Sequence, residues 1–257
     1  MPYIENENIQ IYYEDIGIGE PIIFLHGCFS RGIISFSSQM FFFQATTEFR
    51  SILPDLRGHG RTISKCNEWT TPQLADDIIK LMDSLNIYKA HLVGHSFGGD
   101  VVFYCAIKYP DRFSSITSIS STGSVNDSVL NMNEEFNPET LEGKGKFKLI
   151  EILKKNHFDS CNGDWKHFLK QVLLNNEKYP DFSDEDLRKI SVPALFIFGK
   201  NDDLIKEEEI FRLKENIRDI QIEILDGCGH SPHTLLEEPM KVNDIIYNFF
   251  KKVKKEC

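Results

Sequence analysis

Three residue types able to share nucleophilic catalysis occur in this chain in settings that suit the work. Ser96 lies in Gly94-His95-Ser96-Phe97-Gly98-Gly99, with a glycine two places away on either side. The apolar run Ala90-His91-Leu92-Val93 precedes it, and residues 100–109 carry apolar side chains at helical spacing up to Pro110. A serine between strand and helix in this spacing reads as a nucleophile elbow. The turn is tight enough to strain the serine backbone, and side chains at the flanking glycines would collide as strand and helix close. The hydroxyl is lifted clear of the sheet, the Phe97 amide faces the reacting carbonyl, and the helix N-terminus favours negative charge. Such a serine needs a base, and the base an orienting acid. Asp202 follows the run Val192-Pro193-Ala194-Leu195-Phe196-Ile197-Phe198, and His230 follows Gln221-Ile222-Glu223-Ile224-Leu225. Asp203 and His233 stand close enough in sequence to rival them.

The elements that must position these residues alternate. Residues 9–13 read as a half-exposed strand, 21–25 as a strand covered on both faces, and 50–53 as another. Helices are expected over 37–46 and over 71–85, where Pro72 marks the start and Leu74, Ile78, Leu81 and Leu85 form one stripe. A strand over 115–119 follows the elbow helix. Strands alternating with helices imply an α/β fold with a mainly parallel sheet flanked by helices. The rhythm breaks over 122–189, where 147–156, 165–175 and 183–189 look helical and no strand pattern occurs. This stretch reads as a helical insertion within a core made of 1–121 and 190–257. Helices over 206–216 and 240–252 close the chain. Functional groups of such sheets gather at the carboxyl ends of strands, where His26-Gly27-Cys28, Ser96, Gly199-Lys200-Asn201-Asp202 and Gly227-Cys228-Gly229-His230 all lie.

The order Ser, Asp, His is that of an α/β-hydrolase. From near residue 21 to near 250 the chain resembles that superfamily, interrupted by the insertion. The matching pieces are His26-Gly27, Asp55-x-Arg57-Gly58-His59-Gly60, the Ser96 motif, Gly199-x-x-Asp202 and Gly229-His230-x-x-His233. The resemblance implies an α/β-hydrolase fold with a helical cap, Ser96 as nucleophile, His230 as base then acid, and Asp202, favoured over Asp203, as its orienting group. It also implies an oxyanion hole from the amides of Cys28 and Phe97. His26, His59, His91 and His95 are expected to be structural, His95 pointing away from the pocket, and Asp55, Arg57 and His59 to fix a loop. Phe29, and Trp165 with Phe168 from the insertion, are expected against an apolar substrate.

The expected activity is cleavage of a small or medium ester-like substrate through an acyl-enzyme. A serine at the elbow argues against haloalkane dehalogenases and epoxide hydrolases, which resemble this fold with an aspartate nucleophile. A perhydrolase-type haloperoxidase, a carbon–carbon bond hydrolase and a slow-turnover small-molecule receptor remain as alternatives. A carbon–carbon hydrolase of a dienoic acid needs a cation for the carboxylate, and Arg31 is the candidate near these motifs.

At 257 residues the chain can bury one large core with a modest insertion. A formal charge of −10 argues against nucleic acid or anionic membranes as partners. No apolar stretch approaches membrane-spanning length; Met40-Phe41-Phe42-Phe43 is far too short. The basic run Lys251-Lys252-Val253-Lys254-Lys255 suits the end of a last helix. The polar, acidic start shows no secretory signal. Cysteines 28, 66, 105, 161, 228 and 257 form no C-x-x-C pair and read as reduced thiols of a cytoplasmic protein. Without a Walker lysine or a dinucleotide fingerprint, neither metal nor cofactor is expected, and the partner is a small-molecule substrate. Oligomeric state stays open.

Overall fold

A computed structural model of the chain describes residues 2–6, 8–64 and 68–256. Cys66 and Cys257 lie outside the described residues, whereas Cys28, Cys105, Cys161 and Cys228 are buried free thiols.

The described strands form one sheet. They are β1 (Tyr3–Asn6), β2 (Ile9–Gly17), β3 (Glu20–Leu25), β4 (Phe49–Pro54), β5 (Ile63–Ser64), β6 (Ala90–His95), β7 (Phe113–Ile119), β8 (Ala194–Gly199) and β9 (Ile220–Leu225). Their order is β1-β2-β4-β3-β6-β7-β8-β9, with β5 against β2. Pairing is parallel from β4 to β9 and antiparallel at the β1–β2–β4 end. The helices preceding the elbow are α1 (Gly32–Ser35), α2 (Ser37–Thr46) and α3 (Thr71–Ser84), and α4 (Phe97–Lys108) follows it. Between β7 and β8 run α5 (Asp127–Phe136), α6 (Pro138–Gly143), α7 (Phe147–Asn156), α8 (Trp165–Asn176) and α9 (Asp184–Arg188). The chain then closes with α10 (Glu207–Asn216) and α11 (Pro239–Glu256).

The continuous apolar strands are explained by cover on both faces. Along β3, Ile23 and Leu25 join Leu74, Ile78, Val101 and Val102 of α3 and α4, while Ile22 and Phe24 join Met40, Phe43, Val242 and Ile246 of α2 and α11. Alternate residues thus enter opposite cores, as a period of two demands. The helices between β7 and β8 are not a separate unit, because Leu153, Phe168, Leu169 and Val172 belong to the first of these cores. No described helix is long and apolar enough to cross a membrane.

Several short or polar elements escape sequence reading. The edge strand β1 and the two-residue β5 carry too few apolar positions to show alternation. The α5 sequence, DSVLNMNEEF, is poor in strong helix formers. It is started by Asn126, whose Oδ1 accepts the Val129 amide at 3.0 Å, and α6 by Asn137 followed by Pro138.

Candidate active site

The elbow is built by sterics. Ser96 joins β6 to α4 with φ 51° and ψ −120°, a left-handed backbone that L-residues hold only when their surroundings enforce it. Its amide donates to the Ile119 carbonyl at 2.8 Å, and its own carbonyl accepts the Asp100 amide at 3.0 Å. A Cβ on Gly94 would strike the Gly98 carbonyl, and one on Gly98 would strike the Leu25 carbonyl, so both places admit glycine alone. As the first residue of α4, Phe97 has an amide with no acceptor inside the helix. Its ring points into the core, 5.4 Å from His59 and 5.6 Å from Trp69 between centroids.

Three side chains far apart in sequence meet at this turn. His230 Nε2 stands 2.9 Å from Ser96 Oγ, and His230 Nδ1 stands 2.9 Å from Asp202 Oδ2. The bond to the carboxylate requires a proton on Nδ1, which leaves the Nε2 lone pair to accept from the serine hydroxyl. The Asp202 side chain is fully buried, its other oxygen accepting the Leu204 amide at 3.0 Å, whereas Asp203 is exposed. The loops that carry Asp202 and His230 are tied together by the Asn201 amide donating to the Cys228 carbonyl at 2.8 Å. Glu237 accepts the Gly229 amide at 2.9 Å and anchors the His230 loop from the other side.

The other histidines beside the elbow are buried. His233 is fully buried, 3.5 Å from Ser35 Oγ, and desolvation pushes its pKa down to about 3. His26 accepts the Leu56 amide at Nε2 (3.0 Å) and donates from Nδ1 to the Gly27 carbonyl (2.9 Å), with a pKa lowered by burial to about 4. Asp55 accepts the amides of Gly32 and Arg61, both at 2.9 Å, and Arg57 grips Asp77 with two bonds, at 2.7 and 2.8 Å. His59 Nδ1 donates to the Arg57 carbonyl at 2.9 Å. These residues hold the two loops beside the elbow in register. His95 departs from expectation. It lines the site, and its Nε2 donates to the His230 carbonyl at 2.8 Å, because the strained turn swings Ser96 but leaves its neighbour on the strand's own path.

A cavity of about 600 Å³ opens from Ser96 and is walled by both the sheet ends and the helices after β7. Cys28, Phe29, Ser96, Phe97 and His230 line it together. The Phe29 ring stacks on Phe136 of α5, 4.7 Å between centroids and 10° between planes. Trp165 requires correction: it does not line the cavity but packs half-buried at the start of α8, with Lys166 Nζ 5.7 Å from its ring. Phe168 is also core, its ring stacked on His157 at 4.0 Å. The wall expected from α8 comes instead from Val129, Met132 and Phe136 of α5, a stripe at i, i+3 and i+7 that the sequence reading passed over. Arg31 does not line the cavity; its buried Nε lies among protein atoms, and its charge bears on Asp55 and Glu14. Sequence reading also passed over Asp100, since an acidic residue in a first helical turn is ordinary dipole compensation. Only the fold turns it into the cavity.

Comparison with known proteins agrees with this architecture. Residues 20–148, just over half of the chain, match the family model of the alpha/beta hydrolase fold. The chain belongs to the α/β-hydrolase family. It is 26% identical over 272 aligned positions to a 2-hydroxy-6-oxononadienedioate/2-hydroxy-6-oxononatrienedioate hydrolase of Burkholderia vietnamiensis, covering 96% of this chain and 93% of that one. A solved structure from work on carboxylesterases of Nitrososphaera gargenis superposes with a TM-score of 0.82 at 23% identity, over 100% of both chains. A thermophilic esterase of Thermogutta terrifontis superposes with a TM-score of 0.74 at 26% identity, over 95% of this chain and 94% of that one. The chain is, at this level, a hydrolase.

Proposed function

We propose that the chain is a serine hydrolase that cleaves a small or medium ester-like substrate through an acyl-enzyme. The observation that carries this reading is the continuous line Ser96–His230–Asp202, with both contacts at 2.9 Å, opening onto the cavity. Neutral His230 takes the Ser96 proton at Nε2 as Oγ attacks the carbonyl, and Asp202 stabilises the imidazolium without itself accepting the proton. In this reading the amides of Cys28 and Phe97 hold the oxyanion, and losing one such donor costs roughly 3 kcal/mol of transition-state stabilisation. His230 then hands its proton to the leaving oxygen. Water, deprotonated by the same imidazole, attacks the acyl-enzyme and regenerates Ser96. In this reading residues 122–189 form the cap, and Phe29 with α5 contacts the acyl part.

The carbon–carbon reading is favoured by the Burkholderia relative, which acts by name on dioates. A dioate needs cationic partners when it leaves water. Among the described residues lining the cavity there is neither lysine nor arginine. That favours an ester over a dianionic dienoate here.

Fluorophosphonate labelling with peptide mapping, followed by a panel of esters, thioesters, lactones and a dienoate, tests the reading. Modification confined to Ser96 and steady turnover of p-nitrophenyl acetate are expected. A burst followed by silence would instead indicate a receptor, and dienoate cleavage in preference to every ester would overturn the substrate class.

A further inference from the structure

Asp100 is the one Asp, Glu, Lys or Arg among the described residues lining the cavity. It lies about one helical turn, ~6 Å along α4, beyond Ser96. Its Oδ1 accepts a hydrogen bond from Ser121 Oγ, and the Ser121 carbonyl accepts in turn from Ser118 Oγ at 3.3 Å. The titratable groups that face it are Cys28, from the loop after β3, and Tyr104, farther along α4. Both are pushed up by burial first and by the Asp100 charge second, the Cys28 thiol to about 12. Neither can supply a positive charge. An ionised carboxyl here is thus a half-buried anion with one hydroxyl donor, beside the place where the proposed reaction develops a second negative charge.

We propose that Asp100, held by Ser121, determines specificity by selecting substrates that carry a protonated amine close to the scissile carbonyl. The inference rests on the serine-hydrolase reading and deepens it. An ammonium supplies the missing positive charge and the donors a carboxylate can use, in a low-dielectric setting where charge-assisted bonds are strong. One turn of helix between carboxyl and hydroxyl places that ammonium within a few bonds of the carbonyl, which describes an α- or β-aminoacyl ester. Burial pushes the Asp100 carboxyl up to about 8, which favours its protonated form at neutral pH when no cation faces it. A bound ammonium draws that proton off to solvent. Preference for the amine therefore strengthens as pH rises towards 8, until the substrate amine, with an ordinary pKa of roughly 7.7–8.0, loses its own proton.

The test compares DL-valine benzyl ester with benzyl 3-methylbutanoate, the same skeleton without the amine. The intact protein should favour the amino ester in kcat/KM by about tenfold or more, and Asp100→Asn should cut that ratio by about the same factor. DL-valinamide should likewise slow fluorophosphonate labelling of the intact protein more than 3-methylbutanamide does, and lose this advantage in D100N. That second measurement needs no turnover. Labelling of Ser96 with equal use of both esters would overturn the amine proposal and leave the hydrolase reading standing. An amino-ester preference that survives in D100N would show a neutral hydrogen bond at work and overturn it equally. Absence of labelling in the intact protein would sink the hydrolase reading, and this proposal with it.

Discussion

On the sheet side of the cavity, each proposed catalytic group follows a strand end, and its backbone or its loop is hydrogen-bonded to a neighbouring strand or loop. Ser96 is tied to the end of β7, and the Asp202 loop to the His230 loop. On the helical side, Val129, Met132 and Phe136 ride on one helix whose start depends on Asn126. The first arrangement holds atoms by hydrogen bonds with defined directions, whereas the second holds them by apolar burial, which is non-directional. Chemistry that needs a hydroxyl and an imidazole at 2.9 Å belongs on the former. Contacts that need only shape and apolarity can sit on the latter, where sequence can change without moving the reacting atoms.

Substitutions on the two sides should differ in what they cost. The largest effect is expected from Ser96→Ala, which should lower ester turnover by about a hundred-thousandfold or more while the thermal melt is kept. Asp202→Asn should cost about a thousandfold to ten-thousandfold by the same assay, and Asp203→Asn almost nothing; equal losses would mean the acid is wrongly assigned. Backbone sterics separate the two sides next. Gly98→Ala drives a methyl into the Leu25 carbonyl and should destabilise by about 2 kcal/mol or more in urea unfolding. Gly143→Ala, on α6 with open space around it, should change stability by less than ~1 kcal/mol.

Acid should act through the buried histidines of the sheet side. His26 has a folded pKa of about 4, and His59 and His233 of about 3, all lowered by burial. The unfolded chain therefore takes up protons first as pH falls below about 6.5, and each of these histidines removes up to ~1.4 kcal/mol of stability per pH unit until its folded pKa is reached. Urea midpoints that do not fall between pH 7 and pH 5 would contradict this. On the helical side a modest effect is expected from Phe136→Ala, which removes the ring stacked on Phe29. It should raise KM several-fold for longer acyl chains and leave kcat nearly unchanged. A kcat loss as large as that of D202N would erase the distinction between the two sides.

Much of this was legible beforehand because the information is local. Gly94, Ser96 and Gly98 specify the elbow by excluding Cβ atoms, and the runs that became β3, β6 and β8 announce strands buried on both faces. The helices α2 and α7 fall on their expected residues. Burial could not be read in the same way. His230 and His233, or Asp202 and Asp203, are chemically identical neighbours, and only the path of each loop decides which is bonded and which is buried or exposed. Trp165 was a plausible cavity residue on its type alone, yet the rotation of α8 sets it against the body of the protein.

By itself, the order of residues determined the parallel α/β frame, the strained serine and the small set of groups able to activate it, since glycine spacing and hydrophobic period act over a few neighbours. Tertiary structure alone decided which carboxylate meets the imidazole, which helix walls the cavity, and that Asp100 faces into it without a cation. Those outcomes depend on distances between segments tens to more than a hundred residues apart, set by packing of the whole core rather than by any stretch of chain.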